Sequence, residues 1–221
     1  MNIIRYVILG IIQGLTEPLP ISSSGHLLIF RELFNTNMFN DLNFEVIVNF
    51  GSFIAILLIF WKDIVKLVTS FFKYLFGKKK ERAKYYDDFK YCMLIVVGSI
   101  PVGIIGLLFK DKIEALASVK EVGIALIVTA ISLFLVKSSN GKKKDKDITY
   151  KDAIIIGLCQ MVALLPGISR SGMTLVGCLL CHLSRESALK YTFMLYFPVS
   201  VASFGLSTID IIKTGIDTSL L

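Results

Sequence analysis

Charge is scarce in this chain. Asp, Glu, Lys and Arg make up 19% of its 221 residues against 54% hydrophobic residues, and mean hydropathy is +0.70. So little charge excludes an ordinary soluble domain and suits a polytopic membrane protein. Cysteine is also sparse: Cys92, Cys159, Cys178 and Cys181 all lie in apolar runs. Cys178-Leu-Leu-Cys181-His182 has the spacing of a c-type haem attachment, but no second axial ligand accompanies it, so these read as buried structural thiols. No small-residue cleavage site follows the apolar N-terminus. Arg5 precedes an apolar run there, but Gln13, Glu17 and two prolines interrupt it, so the segment is expected to be mature protein. Nothing resembles a selectivity filter, which removes the channel reading.

The apolar residues fall into four candidate spans: Phe44–Trp61, Tyr91–Phe109, Val122–Val136 and Tyr191–Ile209. The net charge of +7 is local. Basic residues concentrate in Lys62–Lys90, including Lys78, Lys79, Lys80 and Arg82, and in Lys137–Lys151. Short basic loops beside apolar spans set topology, so no nucleic-acid partner is expected. Within Lys62–Phe76, Ile64, Leu67, Val68, Phe71, Phe72 and Leu75 recur at helical spacing, with Lys62, Lys66 and Lys73 opposite, as in an amphipathic interfacial helix among membrane lipids. The basic loops belong in the cytoplasm. Arg31–Asn43 and Lys110–Glu121 then lie outside.

Two stretches of the chain nearly repeat. Ile8, Gly10, Gln13, Ile21, Ser22, Ser24, Gly25 and Leu28 return at a constant offset of 147 as Ile155, Gly157, Gln160, Ile168, Ser169, Ser171, Gly172 and Leu175. About one or two matches would arise by chance in such a window. Phe50/Phe197, Ala55/Ala202, Asp63/Asp210, Ile64/Ile211 and Lys66/Lys213 keep the same offset. One membrane domain over 1–221 is therefore expected, with repeat one at about 1–137 and repeat two at about 151–221. The second is expected to lack its last two helices.

Each copy carries a proline break between two short apolar segments: Pro18-Leu19-Pro20 in the first, Pro166-Gly167 in the second. An eleven-residue segment such as Tyr6–Thr16 or Met173–Leu183 covers about 16 Å, half the hydrocarbon core. Both copies read as re-entrant helical hairpins, one dipping in from each face. The expected fold is an all-α polytopic integral membrane protein with an inverted repeat and a midplane site.

The serines after each break sit where N-caps belong, and free N–H groups at a helix start suit an anion. Arg170 adds a fork of donors for phosphate oxygens and is costly in lipid without a role. Glu17, Ser22, Ser23, Ser24, His26, Ser169, Arg170, Ser171 and Thr174 form one candidate constellation of anion cradle, hydroxyl nucleophiles, acid/base groups and metal ligand. Gln13, four residues before Glu17, shares its helix face and is a further candidate metal ligand.

These residues also carry a resemblance. Gln13–His26, QGLTEPLPISSSGH, resembles the EGxTExLPxSSxGH signature of the bacterial undecaprenyl-pyrophosphate phosphatases of the bacitracin-resistance type. Pro166–Thr174, PGISRSGMT, matches that family's PGxSRSxxT signature in full. The resemblance implies an inner-membrane enzyme that hydrolyses undecaprenyl pyrophosphate to undecaprenyl phosphate and recycles the cell-wall lipid carrier. It places Glu17 as metal ligand or base, Ser23 as nucleophile, His26 as the motif histidine and Arg170 as the phosphate-binding residue. Ser169, Ser171 and Thr174 are the hydroxyls beside it. It implies a divalent cation, Mg²⁺ or Ca²⁺. Gln13 departs from the Glu common in the family and removes a charge from the metal site. The nucleophile (Ser23, His26 or water) and homodimerisation stay open. Charge counting opens the site to the extracytoplasmic side. The alternative is a lipid-phosphate flippase or anion transporter that uses the same inverted-repeat site without hydrolysis.

Overall fold

The computed structural model describes residues 2–33, 42–115 and 118–214. Nine helices account for most of them: α1 (Asn2–Thr16), α2 (Ser23–Leu33), α3 (Leu42–Ile59), α4 (Trp61–Phe76), α5 (Arg82–Glu114), α6 (Val119–Val136), α7 (Tyr150–Val162), α8 (Arg170–Leu180) and α9 (Arg185–Thr214). No strand occurs among the described residues; Lys143 and Leu183 make an isolated bridge. The chain is an all-helical protein. Displaced by the sequence offset, the bounds of α2 fall on those of α8.

The two breaks have local causes. Pro18 and Pro20 offer no N–H, and α1 ends before them at Thr16. In the second copy, Leu165 to Ile168 closes a turn with a 3.1 Å hydrogen bond from the Ile168 N–H to the Leu165 carbonyl. Pro166 and Gly167 occupy its centre, and Gly167 has φ +88°. This is a type II turn, which needs φ > 0 at its third residue. Ser22 and Ser169 then cap α2 and α8 alike. Each hydroxyl accepts from the N–H three residues on, Gly25 at 3.2 Å and Gly172 at 3.1 Å.

The densest core joins α5, α7, α8 and α9 through Leu94, Ile156, Cys178, Leu183, Tyr191 and Leu195. The Tyr191 hydroxyl donates to the Leu94 carbonyl at 2.7 Å. Cys178 and Cys181 are buried, as expected of structural thiols. Helices α5 and α7 cross at Gly98 and Gly157, so closely that a Cβ on Gly157 would sit 2.4 Å from the Gly98 carbonyl oxygen. Small residues at a helix crossing allow this approach in lipid.

The outer surface is apolar. Ile124, Ile127, Ile131, Phe134 and Leu135 of α6 are exposed, as are Val96, Ile100, Ile104, Leu107 and Leu108 of α5. Such a surface suits a hydrocarbon medium. Two helices among the described residues are long and apolar enough to cross a bilayer, α5 over Arg82–Phe109 and α6. Val46–Ile59 of α3 is apolar but shorter. In α9, which contains the expected span Tyr191–Ile209, Thr192, Tyr196, Ser200 and Ser203 lower the hydropathy because they face a cleft described below.

Two expectations change. The span expected from Tyr91 begins at Arg82, because the first turns of α5 pack on amphipathic α4. Phe89 stacks on Tyr74 at 4.1 Å, Ser70 donates to Asp88 at 2.8 Å, and Lys66 pairs with Asp88 at 3.2 Å. The loop expected over Lys110–Glu121 is shorter, since α5 continues to Glu114 past a kink at Phe109 and α6 starts at Val119. Of the expected Arg31–Asn43 loop, residues 34–41 lie outside the described residues.

The close crossing makes Gly157 differ from its repeat mate Gly10, where a Cβ would meet Val48 at an ordinary 3.7 Å. Gly157→Ala is expected to lower the thermal midpoint in detergent, at a cost of about 1–3 kcal/mol. Gly10→Ala is expected to leave the midpoint unchanged or raise it. Equal midpoints for the two variants would contradict the crossing.

Candidate active site

The two breaks touch. The Ser171 hydroxyl donates to the Leu19 carbonyl at 3.2 Å. A Cβ on Gly172 would lie 3.2 Å from the Pro20 carbonyl oxygen. Helix α6 packs beside both, and its Thr129 hydroxyl accepts the Ser169 N–H at 3.2 Å. The N-termini of α2 and α8 therefore face one open cleft, also lined by residues of α3, α7 and α9.

The lining includes most of the expected constellation: Glu17, Ser22, Ser23, Ser24, Ser169, Arg170, Ser171 and Thr174. Residues from the two copies thus share a single site. Ser22 is held at φ +67°, unusual for a residue with a side chain, which turns the chain sharply into α2.

Glu17 is the centre of a hydrogen-bonded chain. Its Oε2 accepts the Ser23 hydroxyl in a short contact. The same oxygen accepts the Gln13 amide N–H at 2.7 Å, and Gln13 also donates to Asn49 Oδ1 at 2.6 Å. A hydroxyl on a carboxylate that a third group orients is the arrangement of an activated nucleophile.

Arg170 stands apart from this carboxylate. Its Nη1 reaches Ser200 at 3.4 Å, and its guanidinium lies 5.9 Å from the centre of the Tyr196 ring. No carboxylate pairs with it among the described residues. Its remaining N–H donors and the α8 N-terminus offer a half-buried anion site.

Gln13 and His26 do not line the cleft. Gln13 is buried beneath Glu17 and presents its amide nitrogen to that carboxylate, because the two are one helical turn apart. His26 Nδ1–H donates to the Ser22 carbonyl at 2.7 Å, so the ring braces the first turn of α2.

The donor set fits a cation only in part. Among the described residues, no three His, Cys, Asp or Glu side chains cluster to hold a metal. Glu17 is the one carboxylate in the cleft lining, and the nitrogen, not the oxygen, of Gln13 faces it. This suits a hard cation that takes one protein carboxylate and otherwise substrate phosphate and water.

The lining also contains residues not expected from the sequence: Asn49, Gln160, Thr192, Tyr196, Ser200 and Ser203. Thr192, Tyr196, Ser200 and Ser203 recur at helical spacing on α9, a polar stripe along an otherwise apolar helix. Gln160 was visible as the repeat mate of Gln13. Asn49 was a lone amide in an apolar run.

Comparison with known proteins shows the family. The family model described as bacitracin resistance protein BacA matches residues 6–220. Undecaprenyl-diphosphatase 2 of Bacillus thuringiensis is 46% identical over 212 residues, which cover 96% of this chain and 77% of that protein. Undecaprenyl-diphosphatase of Oceanobacillus iheyensis is 44% identical over 215 residues, covering 96% and 77%. Undecaprenyl-diphosphatase of Acholeplasma laidlawii is 41% identical over 219 residues, covering 96% and 78%. With nearly its whole length matched, and both serine motifs gathered at one cleft, the chain belongs to the BacA family of bacitracin resistance proteins.

Proposed function

We propose that this chain is a membrane phosphatase that hydrolyses undecaprenyl pyrophosphate to undecaprenyl phosphate and inorganic phosphate. The observation that carries this reading is the Ser23 hydroxyl resting on Glu17 in the same cleft as a carboxylate-free Arg170. A purely binding protein needs the arginine but has no use for a paired hydroxyl and base. The relatives' names support the substrate.

In this reading the diphosphate lies between the two helix N-termini and its polyprenyl tail lies among membrane lipids. Arg170 and the N–H groups of α2 and α8 hold the phosphate oxygens, with Ser22, Ser24, Ser169, Ser171 and Thr174 around them. Ser23 Oγ attacks the terminal phosphorus while Glu17 takes its proton. The bond from that phosphorus to the bridging oxygen breaks, and undecaprenyl phosphate leaves with the proton. Water then attacks the phosphoserine, again through Glu17, and frees inorganic phosphate. Gln13 and Asn49 orient Glu17, and His26 fixes the turn that carries Ser22 to Ser24. Glu17 and the substrate phosphates would hold Mg²⁺ or Ca²⁺, which supplies charge neutralisation on the phosphoryl oxygens.

The reading includes an inverted repeat of two re-entrant hairpins in the inner membrane of a bacterium, with the cleft open to the extracytoplasmic side. Helices α2 and α8 have eleven residues each, about 16 Å or half the hydrocarbon core. The breaks before them meet each other, and the basic stretches before α5 and after α6 are at the opposite ends of those helices from the link between α5 and α6.

Three measurements test this. Phosphate release by purified protein in detergent is expected in the wild type, and a flippase would give none. Arg170→Ala is expected to lose more than about 3 kcal/mol of transition-state stabilisation, as loss of an oxyanion donor does. Near-normal turnover in a folded variant would remove Arg170 from the mechanism. For topology, single cysteines at Glu32 and Lys142 in a cysteine-free background are expected to label from opposite sides of spheroplasts, and labelling from one side refutes the inversion. For the cation, Gln13→Glu would place a second carboxylate against Glu17, which only a bridging cation relieves. Its half-saturating Mg²⁺ is expected to fall below that of the wild type, and an unchanged titration would take position 13 away from the metal.

A further inference from the structure

Gln160 on α7 has an unusual hydrogen-bond account. It is 1% exposed and lines the cleft, yet its Nε2 has no partner. A buried amide nitrogen left unpaired costs about 1–3 kcal/mol. Natural structures keep few such groups, and each calls for a reason.

The other end of the amide explains its orientation. Gln160 Oε1 lies 3.2 Å from the Thr174 hydroxyl. That hydroxyl also lies 2.8 Å from the Arg170 carbonyl, but it has one proton to give. The Arg170 carbonyl is already the acceptor of the Thr174 backbone N–H within α8. A carbonyl has two lone pairs, so the hydroxyl proton is shared between the Arg170 carbonyl and Gln160 Oε1. Gln160 lines the cleft together with Arg170, and its Nε2 is the end of the amide left without a partner. An N–H donor takes an acceptor, and Arg170 in the same lining is a donor for anions.

We propose that Gln160 is a phosphate-binding residue, a neutral donor that completes the Arg170 clamp and is aimed by Thr174. The proposal rests on the phosphatase reading and deepens it. The two copies have then put the same amide to different uses. In copy one, Gln13 donates to Glu17 and steers the carboxylate. In copy two, where Leu164 stands at the position matching Glu17, the amide of Gln160 is left for the substrate.

The test uses the full chain in detergent with methylenediphosphonate, a diphosphate that cannot be hydrolysed, and reads its affinity by thermal shift alongside phosphate release. Gln160→Met keeps the side chain's length and removes the donor. It is expected to weaken the probe by about tenfold to a hundredfold, as loss of a hydrogen bond to a charged group does. Its midpoint without probe should stay level or rise, because an unpaired buried amide has gone. A merely structural glutamine would do the reverse, lowering the bare midpoint and leaving probe affinity alone; that result overturns the proposal. Gln160→Glu places a carboxylate where the NH₂ stood and is expected to weaken the probe further, and unchanged affinity there also overturns it. Should Gln160→Met fail to fold, Thr174→Val, which frees the amide to rotate, is expected to weaken the probe less than Gln160→Glu does. Probe binding without phosphate release from polyprenyl diphosphate would refute the phosphatase reading and leave this one standing. A wild type that does not bind the probe refutes this one.

Discussion

The structure depends on satisfying broken backbone in an apolar molecule. Each proline break leaves N–H and C=O groups without helical partners, and hydrocarbon offers none. The two breaks supply each other. Ser171 answers the Leu19 carbonyl, Ser22 and Ser169 cap the helices that follow, and Thr129 of α6 takes the Ser169 N–H. The Leu19 carbonyl also takes the Ile21 N–H at 2.8 Å within its own break, and the Ser171 hydroxyl bridges it to the second copy. Once the breaks meet, two helix N-termini face one space, and the site follows from the repair of the backbone.

Duplication explains why the site is chemically lopsided while its scaffold is symmetric. Ser22 and Ser169 are repeat mates and do the same job. The next residues, Ser23 and Arg170, are also mates and open α2 and α8 at the same position. One became a hydroxyl on a carboxylate and the other a cation for an anion. Asn49 and Tyr196 are mates as well, and both face the cleft. A symmetric pair of serines would have bound phosphate weakly from both sides. In the proposed mechanism this divergence puts attack on one side and charge stabilisation on the other, which a single centre of transfer requires.

The sequence made the local part of this legible. The breaks at Pro18-Leu19-Pro20 and Pro166-Gly167, the cap serines and amphipathic α4 are written in residue type and short spacing, and the helices begin and end accordingly. The cleft residues from distant segments were less legible. Asn49 reads as an isolated polar residue until α3 is placed against α1. The polar stripe of α9 reads as ordinary serine and threonine until it faces Arg170. Gln13 was expected beside Glu17 as a ligand, but one helical turn brings its amide nitrogen to the carboxylate, and which end of an amide points inward is a tertiary fact. The outward extension of α5 was hidden by its charges, which suggested a loop; only Tyr74 and Phe89 in contact reveal a helix pair.

The separation of Glu17 from Arg170 is the remaining requirement. A carboxylate and a guanidinium in one sheltered cleft would gain much by pairing, and a buried pair of that kind would fill the space a phosphate needs. The scaffold prevents it from both sides. Glu17 is held by Ser23 and Gln13, and Gln13 in turn by Asn49 of α3. Arg170 is held over Tyr196 and toward Ser200 of α9. Helices α3 and α9 are themselves repeat-related and pack together through Phe50, Phe53 and Phe204. The aromatic contact between them joins the helix that carries Asn49 to the helix that carries Tyr196 and Ser200. In the proposed mechanism a diphosphate, which carries its own negative charge, takes the place of a carboxylate partner for Arg170, while the proton of the attacking hydroxyl goes to Glu17.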